Sequence, residues 1–368
     1  VLAAPIARDM GWPLTWVVGG LSLGLLVAAM ISPRVGRRIE KHGGRGPLAA
    51  SAVAIGIGQI TLALAPDLAV FLAAWLMIGL GMGAGLYDAA FGALGRLYGR
   101  DARAAITTLT LFGGLASTIC WPLSAALVAA LGWRGTCLVY AAVQLAGALP
   151  LYLAAVPRDL PPANHSGQAQ GHEPHPVLQP SALLLSLLAA ALTLASSLSS
   201  LVSVHLLTFL RAGGLTLATA VALGALVGPA QVAARAVELA IARHHHPIWT
   251  KLASAIFVAV GLSALWTGAP VIPAALGFYG AGIGLESIAR GTLPLALFGP
   301  AGYAALMGRL AMPSLLAQAA APSVGAMLMD AVGAHGTLAV LASAAAINVV
   351  LAVVLSLFVT HHLRGRKS

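Results

Sequence analysis

Long apolar runs separated by short polar breaks dominate the chain. Polar breaks near 8–13 and 36–46 frame an apolar run over 14–35, and a second follows at 47–66. A membrane helix needs about 20 mostly apolar residues, because the hydrocarbon core is about 30 Å thick and each residue rises 1.5 Å. Both runs meet that length. Further runs lie at about 69–95, 105–131 and up to 156, then near 181–204, 216–241, 249–267, 270–289, 304–331 and 336–360. Strict alternation in short segments, the mark of a membrane β-barrel, is absent. The pattern therefore predicts an all-α polytopic membrane protein, since in lipid a helix satisfies all its own backbone hydrogen bonds.

The runs fall into two sets. The longest polar stretch, 157–180, is rich in Pro, His, Gly and Gln and has little that could pack. It reads as a flexible cytoplasmic linker. The expected organisation is an N-terminal bundle at 1–156, the linker at 157–180, and a C-terminal bundle at 181–368 with a basic tail. The opening stretch VLAAPIA is too short to span, and no cleavable signal peptide is visible. It predicts a truncated first helix. Counting it gives about twelve helices, six to a bundle.

Composition sharpens this picture. Of 368 residues, 59% are hydrophobic and only 8% charged, against about 25% charged in a soluble domain. The net charge of +10 does not call for nucleic acid, because Lys and Arg sit in loops between spans, where topology explains them. That bias puts the linker and C-terminus in the cytoplasm, with the chain in the cell's inner (plasma) membrane and Arg8, Arg134 and Arg211 in external turns. Cys120 and Cys137 fall inside apolar runs, as packing residues. Proline is expected to break the fifth span at Pro122 and the eighth at Pro229.

An internal repeat is visible. GMGAGLYDAAFG (81–92) aligns with GAGIGLESIARG (280–291), about 200 residues on. Each is followed by a loop, a proline-bearing helix (Pro122, Pro322) and a Gly-x-x-Gly turn (Gly132/Gly135, Gly333/Gly336). Repeated halves of this kind are how many transporters build a midplane substrate site. No strand precedes these glycines and no Lys-Ser/Thr follows, so they are not a phosphate loop.

Ionisable groups inside spans are costly and face a cavity or a partner. Asp88, after Tyr87, lies in the fourth span, and Glu286 stands near the equivalent place in the tenth. Arg290, four residues after Glu286, could pair with it along one helix face; Asp88 and Glu286 could instead neutralise loop arginines such as Arg96 or Arg309. In the eighth span Gln231 and Arg235 share a face. Arg235 either binds a carboxylate through paired hydrogen bonds or pairs with Glu238 three residues on. Ser196, Ser200 and Ser203 share a face of the seventh span, and either line a wet cavity or bond their own helix carbonyls. His244–His246, the linker histidines and those of the tail show no metal-ligand spacing with Cys or carboxylates and read as solvated loop residues. No metal and no cofactor is expected.

The loop GRRIEKHGGR, residues 36–45, joins the second and third spans through a short basic hinge, with Gly43 and Gly44 allowing φ > 0 at the helix end. Its spacing resembles the signature of the major facilitator superfamily of transporters, G-x-x-x-(D/E)-(R/K)-x-G-x-(R/K). The matches are Gly36, Glu40, Lys41, Gly43 and Arg45. The resemblance covers essentially the whole chain. Gly11-Trp12, Pro33-Arg34-Val35-Gly36 and Trp121-Pro122 look like the monocarboxylate-carrier and oxalate/formate-antiporter branch. In the monocarboxylate carriers an acidic residue and an arginine stand four apart in span eight; the matching pair here would be Gln231 and Arg235, with the acid lost.

The resemblance implies two six-helix bundles, a gating role for the hinge, and secondary active transport by alternating access. The expected partners are the lipid bilayer, a small-molecule substrate and coupling protons, with no nucleic acid. A small organic anion is the first expectation, drawn by Arg235, with Asp88 or Glu286 linked to protons. Efflux of drugs or toxic compounds is the second. A sensor would need a folded cytoplasmic domain, and an enzyme a cluster of Asp and His; the sequence shows neither.

Overall fold

The computed structural model describes residues 1–158, 181–268 and 272–364. The described residues are almost wholly helical: α1 (Ala3–Met10), α2 (Leu14–His42), α3 (Arg45–Ala63), α4 (Leu68–Gly85), α5 (Tyr87–Tyr98), α6 (Ala102–Ala142), α7 (Leu149–Ala155), α8 (Ala182–Ala212), α9 (Leu217–Gly224), α10 (Val227–Ile241), α11 (Pro247–Trp266), α12 (Ile272–Phe298) and α13 (Tyr303–Arg364). Eight helical stretches among them are long and apolar enough to cross a membrane, and Leu68–Ala155 and Tyr303–His361 are long enough to cross more than once. Leu21, Met30 and Ile57 are exposed, as a lipid-facing surface requires. Most of the linker and the last four residues of the tail lie outside the described residues.

The chain forms two compact units. One comprises Val1–Ala102, Ala116–Gly171 and Pro300–Ala319, the other Arg103–Leu115, His172–Gly299 and Ala320–Ser368. In the first, α4 packs against α2 and α3; in the second, α12 packs against α10 and α11.

These two sets repeat one another atom group by atom group. Gly79 of α4 lies against Gly24 of α2, and Gly280 of α12 against Val227 of α10. Gly81 lies against Ile55 and the Ser51 carbonyl of α3, and Gly282 against Val258 and the Ser254 carbonyl of α11. The Ser51 hydroxyl donates to Gly81 O at 2.8 Å, and the Ser254 hydroxyl to Gly282 O at 2.9 Å. Small residues at such crossings let backbones approach closely in lipid. A Cβ on Gly282 would sit 2.8 Å from Val258 N and 2.9 Å from Ser254 O. Gly282→Val should therefore cost about 1–3 kcal/mol of stability through overpacking; a thermal melt of the detergent-purified variant measures it.

The structural register corrects the sequence alignment. Gly81 corresponds to Gly282 and not Gly280, so the repeat offset is 201 residues on α4/α12 and, from Gly24 and Val227, 203 on α2/α10. The turns at Gly132 and Gly333 repeat as well. Gly132 (φ 70°, ψ 177°) breaks α6 and Gly333 (φ 70°, ψ 176°) breaks α13. In each, a threonine four residues on closes the turn: Thr136 onto Gly132 O at 2.7 Å, Thr337 onto Gly333 O at 2.8 Å.

Other helix boundaries differ from expectation. The fourth span is not one helix over 69–95: it stops at Gly85, passes through an extended Leu86 (ψ 179°) and restarts as α5. Three glycines in the GMGAG run lower helix propensity there. The eighth span breaks after Gly224, at Ala225–Leu226, and Pro229 sits in the first turn of α10. There its missing N–H costs nothing, because the first turn's donors have no partner within the helix. Pro122 does not break α6; the break is at Gly132. Of the hinge glycines, Gly43 is left-handed (φ 81°) but Gly44 is right-handed (φ −82°) and starts α3.

Candidate functional site

Within the first unit, the hinge motif grips the start of α13. The Glu40 carboxylate accepts from Gly302 N–H at 3.1 Å and Ala304 N–H at 3.0 Å. The first N–H groups of a helix have no partner inside it and carry partial positive charge, so a carboxylate completes them. Arg96 donates to the carbonyls of Glu40 and Lys41, closing the end of α2. Gly36 lies against Ala304 and Gly308. Of the motif, Gly36 and Glu40 thus make the contact and Gly43 makes the turn; Lys41 is exposed and takes part through its carbonyl, and Arg45 opens α3. Asp88 occupies the first turn of α5, where a helix N-terminus stabilises a negative charge. Tyr87 stacks on Phe91 with ring centroids 5.4 Å apart.

The second unit gathers more of the predicted residues. Arg235 of α10 is 5% exposed. Its Nε donates to Ser287 Oγ at 3.0 Å and to Gly284 O at 3.3 Å on α12, and its Nη2 to Gln231 Oε1 at 3.3 Å. The guanidinium reaches this place because Gly114 of α6 has no side chain to block Nη1. Gln231 and Arg235 are thus held together, as their spacing implied. Glu238 is not Arg235's partner. It accepts from Thr250 Oγ1 at 2.7 Å and faces Arg103 Nη2 at 3.8 Å and His245 Nε2 at 3.4 Å. Three residues separate Arg235 from Glu238, a spacing that allows contact, but Arg103, Thr250 and His245 surround the carboxylate.

The expected pairing of Glu286 with Arg290 is also corrected. Glu286 pairs with Lys251 of α11, whose Nζ donates to Oε1 at 2.7 Å and Oε2 at 2.8 Å, and Ser254 Oγ donates to Oε2 at 2.9 Å. Lys251 is 0% exposed and also reaches Ala191 O at 3.4 Å. Sequence reasoning missed it, although it is a lysine within an apolar run. Arg290 turns the other way, to Ser196 Oγ of α8 at 3.0 Å. Ser196 therefore serves another helix, whereas Ser197 bonds its own Thr193 O. Ser200 lies half-buried one turn beyond Ser196. Nor are the loop histidines merely solvated. His245 faces Glu238, and the His246 ring accepts from Ile248 N–H to cap α11. The linker histidines lie outside the described residues, and among the described residues no cluster of three His, Cys, Asp or Glu could hold a metal.

The repeat shows that the fold does not require these charges. By the structural register, Arg235 stands where the first unit has Ser32, Lys251 where it has Leu48, Glu286 where it has Gly85, and Arg290 where it has Ala89. The same helix packing is thus built once from small and apolar residues and once around four charges.

The architecture is that of a polytopic membrane protein with a cluster of charged groups within one repeat. The Major Facilitator Superfamily model matches residues 1–283, so the chain belongs to that superfamily. No curated protein sequence matches it. Among solved structures, the human organic anion transporter MFSD10 (TETRAN) superposes with a TM-score of 0.72 at 18% identity, covering 95% of this chain and 88% of that one. A variant of the E. coli fucose:proton symporter FucP gives 0.70 at 14% identity, covering 96% and 95%. An outward-conformation structure of FucP gives 0.68 at 16%, covering 91% and 89%. The chain is a transporter and not an enzyme. Its surroundings are the lipid bilayer and its ligand a small-molecule solute.

Proposed function

We propose that the protein is a secondary active transporter of a small organic anion, with Arg235 as the anion-binding group. The buried guanidinium carries the reading. It is placed in a membrane span, held by hydroxyl, carbonyl and amide groups, at a point where the other repeat needs only Ser32. A charge there is expensive to insert, and a carboxylate-bearing substrate would satisfy it with paired hydrogen bonds. The organic anion transporter among its structural neighbours supports this choice.

In this reading the bundles at 1–156 and 181–368, joined by the linker at 157–180, expose the site alternately to the two sides of the cell's inner membrane. The linker and C-terminus are cytoplasmic. Glu40 latches α2 to α13 on that side. Protons are the coupling ion, as in the fucose:proton symporter among the neighbours, and Glu286 is their carrier in preference to Asp88. Glu286 is half-buried and paired with a lysine, so a proton arriving there frees a charge.

The test is uptake of a labelled carboxylate panel into proteoliposomes. Arg235→Ala should abolish anion uptake, and Arg235→Lys should reduce it about tenfold or more, because an ammonium cannot make the bidentate contact. Wild-type uptake by folded Arg235→Ala protein overturns the assignment.

A further inference from the structure

The last turn of α10 and the first turn of α11 meet the start of α6 at one polar junction. Glu238 of α10 is 3% exposed and Thr250 of α11 2%. Thr250 Oγ1 donates to Glu238 Oε1 at 2.7 Å. His245 lies in the short link between α10 and α11. Its Nε2 is 3.3 Å from Thr250 Oγ1 and 3.4 Å from Glu238 Oε2, and its Nδ1 is 3.2 Å from Ile241 O. Arg103 of α6 donates through Nη1 to His245 O at 2.8 Å and sets Nη2 3.8 Å from Glu238 Oε1. The titratable groups facing the ring are therefore Glu238 from α10 and Arg103 from α6; α11 supplies a hydroxyl.

Counting protons decides the state of this junction. A neutral imidazole has one N–H and one lone pair. Nδ1 faces a carbonyl, which only accepts. Nε2 faces a carboxylate, and a hydroxyl whose hydrogen points at that same carboxylate. With Glu238 ionised and His245 neutral, either tautomer leaves one ring nitrogen lone pair against an oxygen lone pair. One further proton resolves this. It either makes an imidazolium, or sits on Glu238 and turns the Thr250 hydrogen toward Nε2. The two carriers thus titrate as one coupled site.

The first unit shows that the fold does not need this site. By the register of the repeat, Val35 stands where the second unit has Glu238, Ala304 where it has Arg103, Pro47 where it has Thr250, and His42 where it has His245. Val35 and Ala304 lie there in one apolar cluster, and His42 is exposed.

We infer that Glu238, Thr250 and His245 are a proton-binding site that fastens the start of α6 to α10 and α11. With its proton the junction is closed. Without it one contact of His245 is lost and the junction loosens. The site is separate from Glu286, which is held by Lys251 and Ser254. A proton bound more tightly by the fastened ends than by the parted ones stabilises them at low pH, and that contribution is lost as pH rises.

Hydrogen exchange of the full chain in lipid nanodiscs tests this without substrate, so the result is independent of the transport reading. The readout is the protection factor, the slowing relative to an unstructured peptide at the same pH, for peptides spanning 102–110 and 242–252. It should fall about tenfold between about pH 5.5 and about pH 8, across the ordinary imidazole range; tenfold is the factor that one unit of differential proton affinity gives. His245→Gln, which does not titrate, should flatten the profile. So should Arg103→Ala/Glu238→Val, which copies the apolar junction of the first unit and decides the matter if the single variant folds poorly. A flat profile in the unaltered protein overturns the inference. A tenfold fall that persists in both variants, or one shared equally by α3, overturns it as well.

Discussion

Replacing Lys251 by Leu should destabilise the protein by about 3–5 kcal/mol, the usual result of removing one partner of a buried ion pair. The Glu286 carboxylate would be left with Ser254 Oγ as its remaining donor among those that hold it now. Glu286→Gly alone should be comparably damaging, because it strands a fully buried ammonium. The double variant Lys251→Leu/Glu286→Gly should recover most of the loss. It recreates the Leu48 and Gly85 pair that occupies the same place in the first unit, where the Ser51 hydroxyl lies over Gly85. Replacing a buried pair by packed apolar groups is often neutral or better. Thermal melts of the four proteins in one detergent give the coupling by a double-mutant cycle. Additive losses would mean that the pair contributes nothing as a pair. A stable double variant that no longer accumulates substrate against a gradient would assign the pair to coupling.

Much of the architecture was readable because membrane helices announce themselves by length and apolarity. The runs at 14–35 and 47–66, for example, correspond to α2 and α3, although α2 continues to His42, so that residues 36–42, read as loop, are helix. The hinge was readable because a signature of charges and glycines lies within ten residues, and its glutamate bonds as one would expect of an anion at a helix start. The repeat was readable in kind and wrong in register. Glycines at 79, 81, 83 and 85 and at 280, 282 and 284 recur every two residues, so the pattern matches itself when slid by two. The neighbours on α2 and α3, and on α10 and α11, fix the true alignment.

The pairings were the hardest to read. Glu286 has Arg290 at helical spacing, yet its partner comes from α11, 35 residues earlier. Arg235 has Glu238 at helical spacing, yet Glu238 is drawn to Arg103, 135 residues earlier, and to Thr250 and His245. Spacing along one helix reports which side chains could meet. Which ones do meet depends on the helices packed beside it, and those contacts are long-range. The helix breaks have a similar origin. Proline drew attention to Pro122 and Pro229, but α4 and α9 end at Gly85 and Gly224.

Removing the hinge carboxylate should release the start of α13. In Glu40→Ala the amides of Gly302 and Ala304 lose the acceptors that hold them at 3.1 and 3.0 Å, and no helical carbonyl can replace these in the first turn. A capping carboxylate at a helix start contributes about 0.5–2 kcal/mol. Hydrogen exchange of a peptide spanning 300–306 should therefore accelerate about tenfold for these amides, since 1.4 kcal/mol is a factor of ten. Glu40→Asp, one methylene shorter, should keep part of the protection, and Glu40→Gln, with one acceptor oxygen, should keep about half of the contact. If the latch holds one state of an alternating cycle, the same free energy appears in transport. Glu40→Ala shifts the population toward the released state by the same factor, and the uptake rate should change with it. Unchanged exchange at Gly302 and Ala304 would show that Arg96 and the Gly36–Gly308 contact hold α13 without Glu40. Faster exchange with unchanged uptake would make Glu40 a helix cap and not a gate.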